Sequence, residues 1–227
     1  MTQDINAIAF DLDGTLYPNY RLNVRLLPFL FRRWRLLAAF GKARDKIRSE
    51  QESSPASVRH DFYDYQAALT AEWLNAPPDQ IKVKIEKAIY RGLEPHFKKI
   101  KLFSHVRKLL PELRTAGFKL GLLSDFPPQV KLENLGIADC WDAVLCSENT
   151  GALKPAIRPF IELAGALGCP PEQVLYVGNS ERYDVFGARR AGMKTALVVS
   201  RHKNRTVKSD ADFTFFDYRQ LRNFVLQ

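Results

Sequence analysis

From about residue 104 onward, apolar segments at 118–123, 142–146, 174–177, 195–199 and 212–216 alternate with helical stretches at 104–116, 128–135, 156–167 and 184–191. Strands joined through helices cannot pair as hairpins, so they lie parallel, and a parallel sheet needs both of its faces covered. An earlier apolar run, INAIAF at 5–10, reads as a further buried strand and stops abruptly at the polar DLDGT. The predicted class is therefore α/β, a doubly wound parallel sheet. Ligands of such sheets bind beyond the carboxyl ends of the strands. The polar residues at those ends are Asp11 and Asp13, Ser124 and Asp125, and Asn179, Ser180 and Asp184, with Lys154 in the loop before the helix at 156.

Between Tyr20 and about Phe103 nothing resembles a strand. Helical patterns at 24–48, 58–75 and 79–91 are separated by SerSerPro at 53–55 and ProPro at 77–78. This stretch reads as an all-helical insert after the first strand. The expected division is an α/β core of residues 1–17 and 104–227 and a helical cap of residues 18–103.

The positive charge is concentrated in that insert. The chain carries 34 Lys and Arg against 25 Asp and Glu, a net +9, and the segment from Arg21 to Arg48 holds nine basic residues against Asp45 alone. On a helical wheel Arg21, Arg25, Arg32, Arg35, Lys42 and Lys46 fall on one side and Val24, Leu27, Phe31, Trp34 and Ala38 on the other. The plain expectation is a cap helix with a solvated basic face and an apolar face packed on its neighbours. Charge confined to one segment, without a reading motif, disfavours nucleic acid as a main partner.

With 227 residues the chain is long enough for a substantial core, and 46% apolar with 26% charged residues is a globular composition. Its three cysteines show no C-x-x-C spacing, which fits a reducing cytoplasm better than a disulfide framework. No apolar run approaches a membrane span, so integral membrane association is not expected.

The segments DLDGTLY (11–17), LLSD (122–125), LKP (153–155) and VGNSERYD (177–184) resemble, in order, the four motifs of the haloacid dehalogenase superfamily. The helical insert stands where the phosphatases of that family with an α-helical cap carry theirs. The resemblance implies a Mg²⁺-dependent phosphatase acting on a small phosphorylated metabolite. Asp11 would be the nucleophile that forms an aspartyl-phosphate, and Asp13 the acid and then base. Ser124, Asp125 and Lys154 would bind substrate, with Ser124 and Lys154 also counted as catalytic. Asp11, the main-chain carbonyl of Asp13, Asp184 and Asn179 would face the metal.

The residue types suit that chemistry. A phosphate monoester needs an in-line nucleophile, a proton for the leaving oxygen, and positive charge around the transferring group. Two carboxylates beside a phosphate dianion repel it, so Lys154 and a divalent cation would offset the charge. Asp13 separates the chain from family members whose leaving halide needs no proton. Asn179 departs from the pattern, since the family commonly carries an acid there. A phosphomutase with the same catalytic pair, or a binding or regulatory protein using the basic helix 24–48, are the competing expectations.

Overall fold

A computed structural model of the chain describes residues 4–19, 27, 29, 31–54, 59–200 and 208–227. At its centre β1 (Ala7–Phe10) pairs on one side with β2 (Lys119–Ser124) and on the other with β4 (Val174–Gly178). The sheet is extended outward by β3 (Ala143–Cys146), β5 (Lys194–Val198) and β6 (Phe213–Phe215) into the order β3-β2-β1-β4-β5-β6, every pair parallel. The chain thus winds outward from β1 in both directions. Phe10 stands in register with both Leu122 and Val177, so the segments leaving β1, β2 and β4 emerge side by side.

Alternation along the strands divides the core between the two faces of the sheet. On one face Ile8, Phe10, Leu122 and Val177 pack on Val106, Leu109, Leu110 and Leu113 of the helix Val106–Thr115 and on Leu221 of the helix Tyr218–Leu226. On the other, Ala7, Ala9, Leu123 and Tyr176 meet Phe160, Leu163 and Leu167 of the helix Ile157–Leu167. Each large side chain so buried contributes about 1.5–3 kcal/mol, which favours this register over a slip by one residue.

The helices between β1 and β2 are α1 (Trp34–Ser53), α2 (Phe62–Leu74), α3 (Pro78–Ile85), which continues as a π-helical turn over Glu86–Tyr90, and the short α4 (Glu94–Phe97). After them come α5 (Val106–Thr115), α6 (Gln129–Leu135), α7 (Ile157–Leu167), α8 (Phe186–Arg190) and α9 (Tyr218–Leu226). The last helix starts on a capping box, with Asp217 accepting from main-chain amides and Gln220 reaching back.

The basic helix differs from its expectation. Regular α1 begins at Trp34, after Arg33 leaves helical geometry at φ −125°, ψ 18°. Its buried stripe is Phe40, Ala43, Arg44, Ile47 and Gln51, a 3-4 spacing that faces α2 and the core. The apolar face expected to pack does not: Leu27 is 59%, Phe31 80% and Trp34 63% exposed, and Ala38 is exposed too. Arg21, Val24 and Arg25 lie outside the described residues. The break at Arg33 interrupts the helical phase, and burial is set by the seam downstream of it. Among the described residues, no helix is long and apolar enough to cross a membrane.

Candidate active site

Side chains after β1 and β4 converge on the ammonium of Lys154. Lys154 Nζ donates to Asp11 Oδ1 and to Asp184 Oδ1, at 2.7 Å each, and lies 3.3 Å from the Tyr176 hydroxyl. All four residues are buried. Burial opposes a charged Lys154, but Asp11 and Asp184 outweigh it and hold its pKa well above the ordinary value, so it is an ammonium. For Tyr176, burial pushes the pKa up and keeps the phenol protonated.

Asp11 is pushed up to about 7, by burial above all; Lys154 opposes this, and the charges of Asp184 and Asp13 add to it. Its second oxygen accepts from the Thr15 hydroxyl at 2.7 Å. Asp184 is folded back over its own loop, where Oδ2 accepts from the amides of Asn179 at 3.1 Å and Ser180 at 3.0 Å. That fold requires Gly178, because a Cβ there would collide with the Asp184 side chain. It also explains why the helix expected over 184–191 opens with a π-helical turn, Glu181–Val185, before α8.

Asp13 points elsewhere. Lys131 of α6 donates to its two oxygens at 2.7 and 2.6 Å, and the Tyr17 hydroxyl also donates to it. A cavity of about 350 Å³ opens beside Asp13 and Lys131, with walls that include Ile89, Leu93, Phe97 and Phe126. Ser124 is fully buried and accepts from the Phe126 amide at 3.2 Å. Gly14 adopts φ +90° and a Cβ there would collide with the exposed side chain of Asn179, so only glycine suits this crossing of the β1 and β4 loops.

Asp125 faces the helical insert. Its carboxylate accepts from Arg48 at 2.9 Å and from the Lys154 amide at 3.2 Å, and lies 3.6 Å from Arg44. Burial would raise its pKa, but Lys154, Arg44 and Arg48 hold it below the ordinary value. Arg48 also donates to the Lys154 carbonyl at 2.9 Å. Arg44 is itself buried and paired with buried Glu148, which accepts from the Tyr90 hydroxyl at 2.9 Å. Two arginines of the insert therefore brace the loops that carry Asp125 and Lys154.

Sequence reasoning missed Lys131, Thr15, Tyr17, Arg44, Arg48 and Glu148. Thr15 and Tyr17 stand four residues after Asp11 and Asp13, a spacing legible once the loop is known to turn back on itself. Lys131 and Arg44 carry no local signal, being 118 and 104 residues from their partners.

The sequence profile of haloacid dehalogenase-like hydrolases matches residues 5–192. The chain belongs to that family. Over 97% of this hydrolase and 96% of the relative, it is 29% identical to a protein of Methanopyrus kandleri named glyceraldehyde 3-phosphate phosphatase. It is 30% identical, over 84% of its length and 79% of the relative's, to a phosphoglycolate phosphatase of Salmonella typhi. The crystal structure of a HAD phosphatase from Thermococcus onnurineus superposes with a TM-score of 0.66 at 25% identity, covering 97% of this chain and 98% of that one.

The residues of this hydrolase suit a hard divalent cation. Asp11, Asp184, the Asn179 amide and the Asp13 carbonyl are all oxygen donors, and the carboxylates of Asp11 and Asp184 face one ammonium, that of Lys154. Among the described residues, no three His, Cys, Asp or Glu side chains are grouped to hold an ion by themselves, so main-chain and amide oxygens would complete the set.

Proposed function

We propose that the chain hydrolyses a small phosphomonoester in two steps through Asp11. The observation that carries this reading is the buried Asp11 carboxylate at the end of β1, held by Lys154 at 2.7 Å, with Asp13 two residues on and lining the adjoining cavity. Asp11 attacks phosphorus and the bond to the alcohol oxygen breaks. Asp13, at the cavity wall, protonates that oxygen as it leaves. A water molecule then gives its proton to Asp13 and attacks the aspartyl-phosphate, returning Asp11 and releasing phosphate.

In this reading Lys154 and Ser124 stabilise the charge on the transferring group. The buried phenol of Tyr176 and the Thr15 hydroxyl keep Lys154 and Asp11 oriented. Mg²⁺, bound by Asp11, the Asp13 carbonyl, Asp184 and Asn179, would supply further positive charge at the phosphate. The apolar side chains of the cavity receive the leaving group, and the helices of residues 18–103 act as the cap that closes over it and excludes water.

The test is a panel of phosphomonoesters assayed with and without Mg²⁺ on the wild type and on Asp11→Asn. Phosphate release that persists undiminished in the variant would refute the assignment, because an amide is too weak a nucleophile for phosphorus.

A further inference from the structure

One face of the helical insert is left uncovered by the fold. Phe31 is 80%, Trp34 63% and Leu27 59% exposed, and Val83 of α3 is 50% exposed. Arg32, Arg33 and Arg35 stand among them, all exposed, with exposed Lys84 and Lys87 on the neighbouring segment. An open groove of about 800 Å³ runs between the two, lined by Arg33, Trp34 and Arg35 on one side and Val83, Lys84 and Lys87 on the other. Elsewhere in the insert several exposed cations are paired with carboxylates: Lys46 with Glu72, Lys82 with Asp64, Arg91 with Glu86. Among the described residues, none of the five cations of this face has a carboxylate partner.

We propose that this face binds the surface of an anionic lipid bilayer. Large apolar side chains in water are individually ordinary; two exposed aromatics and two exposed aliphatics amid five cations without a carboxylate partner are a different matter. A bilayer interface satisfies both sets together. Aromatic rings and aliphatic groups enter the boundary between headgroups and acyl chains, while guanidinium and ammonium groups remain at the level of the phosphates. A nucleic acid duplex would engage the cations and leave Phe31, Trp34, Leu27 and Val83 in water, and bases of a single strand could cover the two rings but not the two aliphatic side chains. The net charge of +9 acts in the same direction by drawing the chain toward an anionic surface. The proposal does not depend on which ester the active site hydrolyses.

The experiment is flotation of the full chain with vesicles of phosphatidylcholine alone and of phosphatidylcholine mixed with phosphatidylglycerol. Binding to the anionic vesicles is expected to be about tenfold or more tighter, and to weaken as salt is raised. Phe31→Ser with Trp34→Ser should lower it at least about tenfold, and Arg32→Gln with Arg35→Gln about fivefold for each charge removed. All four positions are exposed and outside the catalytic loops, so both double variants should keep wild-type thermal unfolding and wild-type phosphatase activity. Failure to float with anionic vesicles overturns the proposal, as does equal binding to both lipids. Undiminished vesicle binding by the serine variant, displaced by heparin, would make the face a polyanion site and overturn it too. Self-association abolished by the serine variant, without flotation, would assign the face to a second copy of the chain.

Discussion

Lys131 Nζ sits 2.6 and 2.7 Å from the two carboxylate oxygens of Asp13, so a helix that follows β2 orients a side chain that follows β1. Lys131 is buried, its ammonium 5.0 Å from the centre of the Phe97 ring. Asp13 thus has a fixed direction before any substrate arrives.

Lys131→Met should lower kcat for alkyl phosphates by on the order of tenfold or more, the scale expected when a reacting group loses its orientation. Activated aryl phosphates, whose leaving groups need little protonation, should be affected much less, and Lys131→Arg should recover part of the loss. An equal loss on both classes of ester would count against a role through Asp13. Asp13→Asn should show the same dependence on leaving group, more strongly.

Asn179→Asp should reduce the Mg²⁺ concentration for half-maximal activity, on the order of tenfold, because it restores an anion where the wild type has a neutral amide. Asp184→Asn should raise that requirement, since it removes a carboxylate from the proposed metal site. Magnesium titration of the three proteins by calorimetry decides the point. Identical requirements would remove this loop from the metal site.

Arg44→Met should destabilise the fold by about 3–5 kcal/mol, because it leaves the fully buried Glu148 carboxylate without its cation. The burial that already pushes Glu148 upward would then be opposed chiefly by the Tyr90 hydrogen bond. Adding Glu148→Gln to Arg44→Met should return much of the stability in urea unfolding. If the single variant unfolds like the wild type, the pair does not hold the insert to the core.

Asp217→Ala should cost about 1 kcal/mol, the usual value for a lost helix cap. Hydrogen bonding from Arg219 is the main cause that lowers the Asp217 pKa to about 2, from an ordinary 3.8. A carboxyl depressed on folding stabilises fully above its unfolded value and loses that effect as pH falls through its folded value. The difference between wild type and variant should therefore be constant above about pH 4 and shrink toward pH 2. A difference unchanged at pH 2 would mean that the charge plays no part in the cap. Since the Tyr218 hydroxyl donates to the Thr15 carbonyl, this helix also steadies the loop that carries Asp11 and Asp13.

Asp11, Ser124 and Asp184 were legible because their placement follows from local pattern and one topological rule, whereas Lys154, eight residues past the end of β3, was legible only through its motif. Apolar runs separated by helices dictate parallel strands, and residues just past the carboxyl ends of adjacent parallel strands share a crevice. The strand at 212–216 and the structured Phe213–Phe215 differ only at their ends, where hydrogen bonding to a neighbour, unseen in sequence, sets the limit.

Which face of a helix turns inward is a different kind of question. Periodicity establishes that α1 has faces, but the partners choose among them, and here they buried Phe40, Ala43, Arg44 and Ile47 while leaving Phe31 and Trp34 in solvent. Asp125, legible as a polar residue after β2, acquired its contacts with Arg48 and Arg44 from the insert folding over the core. Lys131 on Asp13 and Arg44 on Glu148 join residues more than a hundred positions apart. By itself the sequence determined the parallel sheet, the insert and the residues at the strand ends, because these follow from spacing along the chain. The tertiary structure decided how Asp13 is held, how the insert is braced and which face stays open, because those depend on contacts whose partners spacing cannot name.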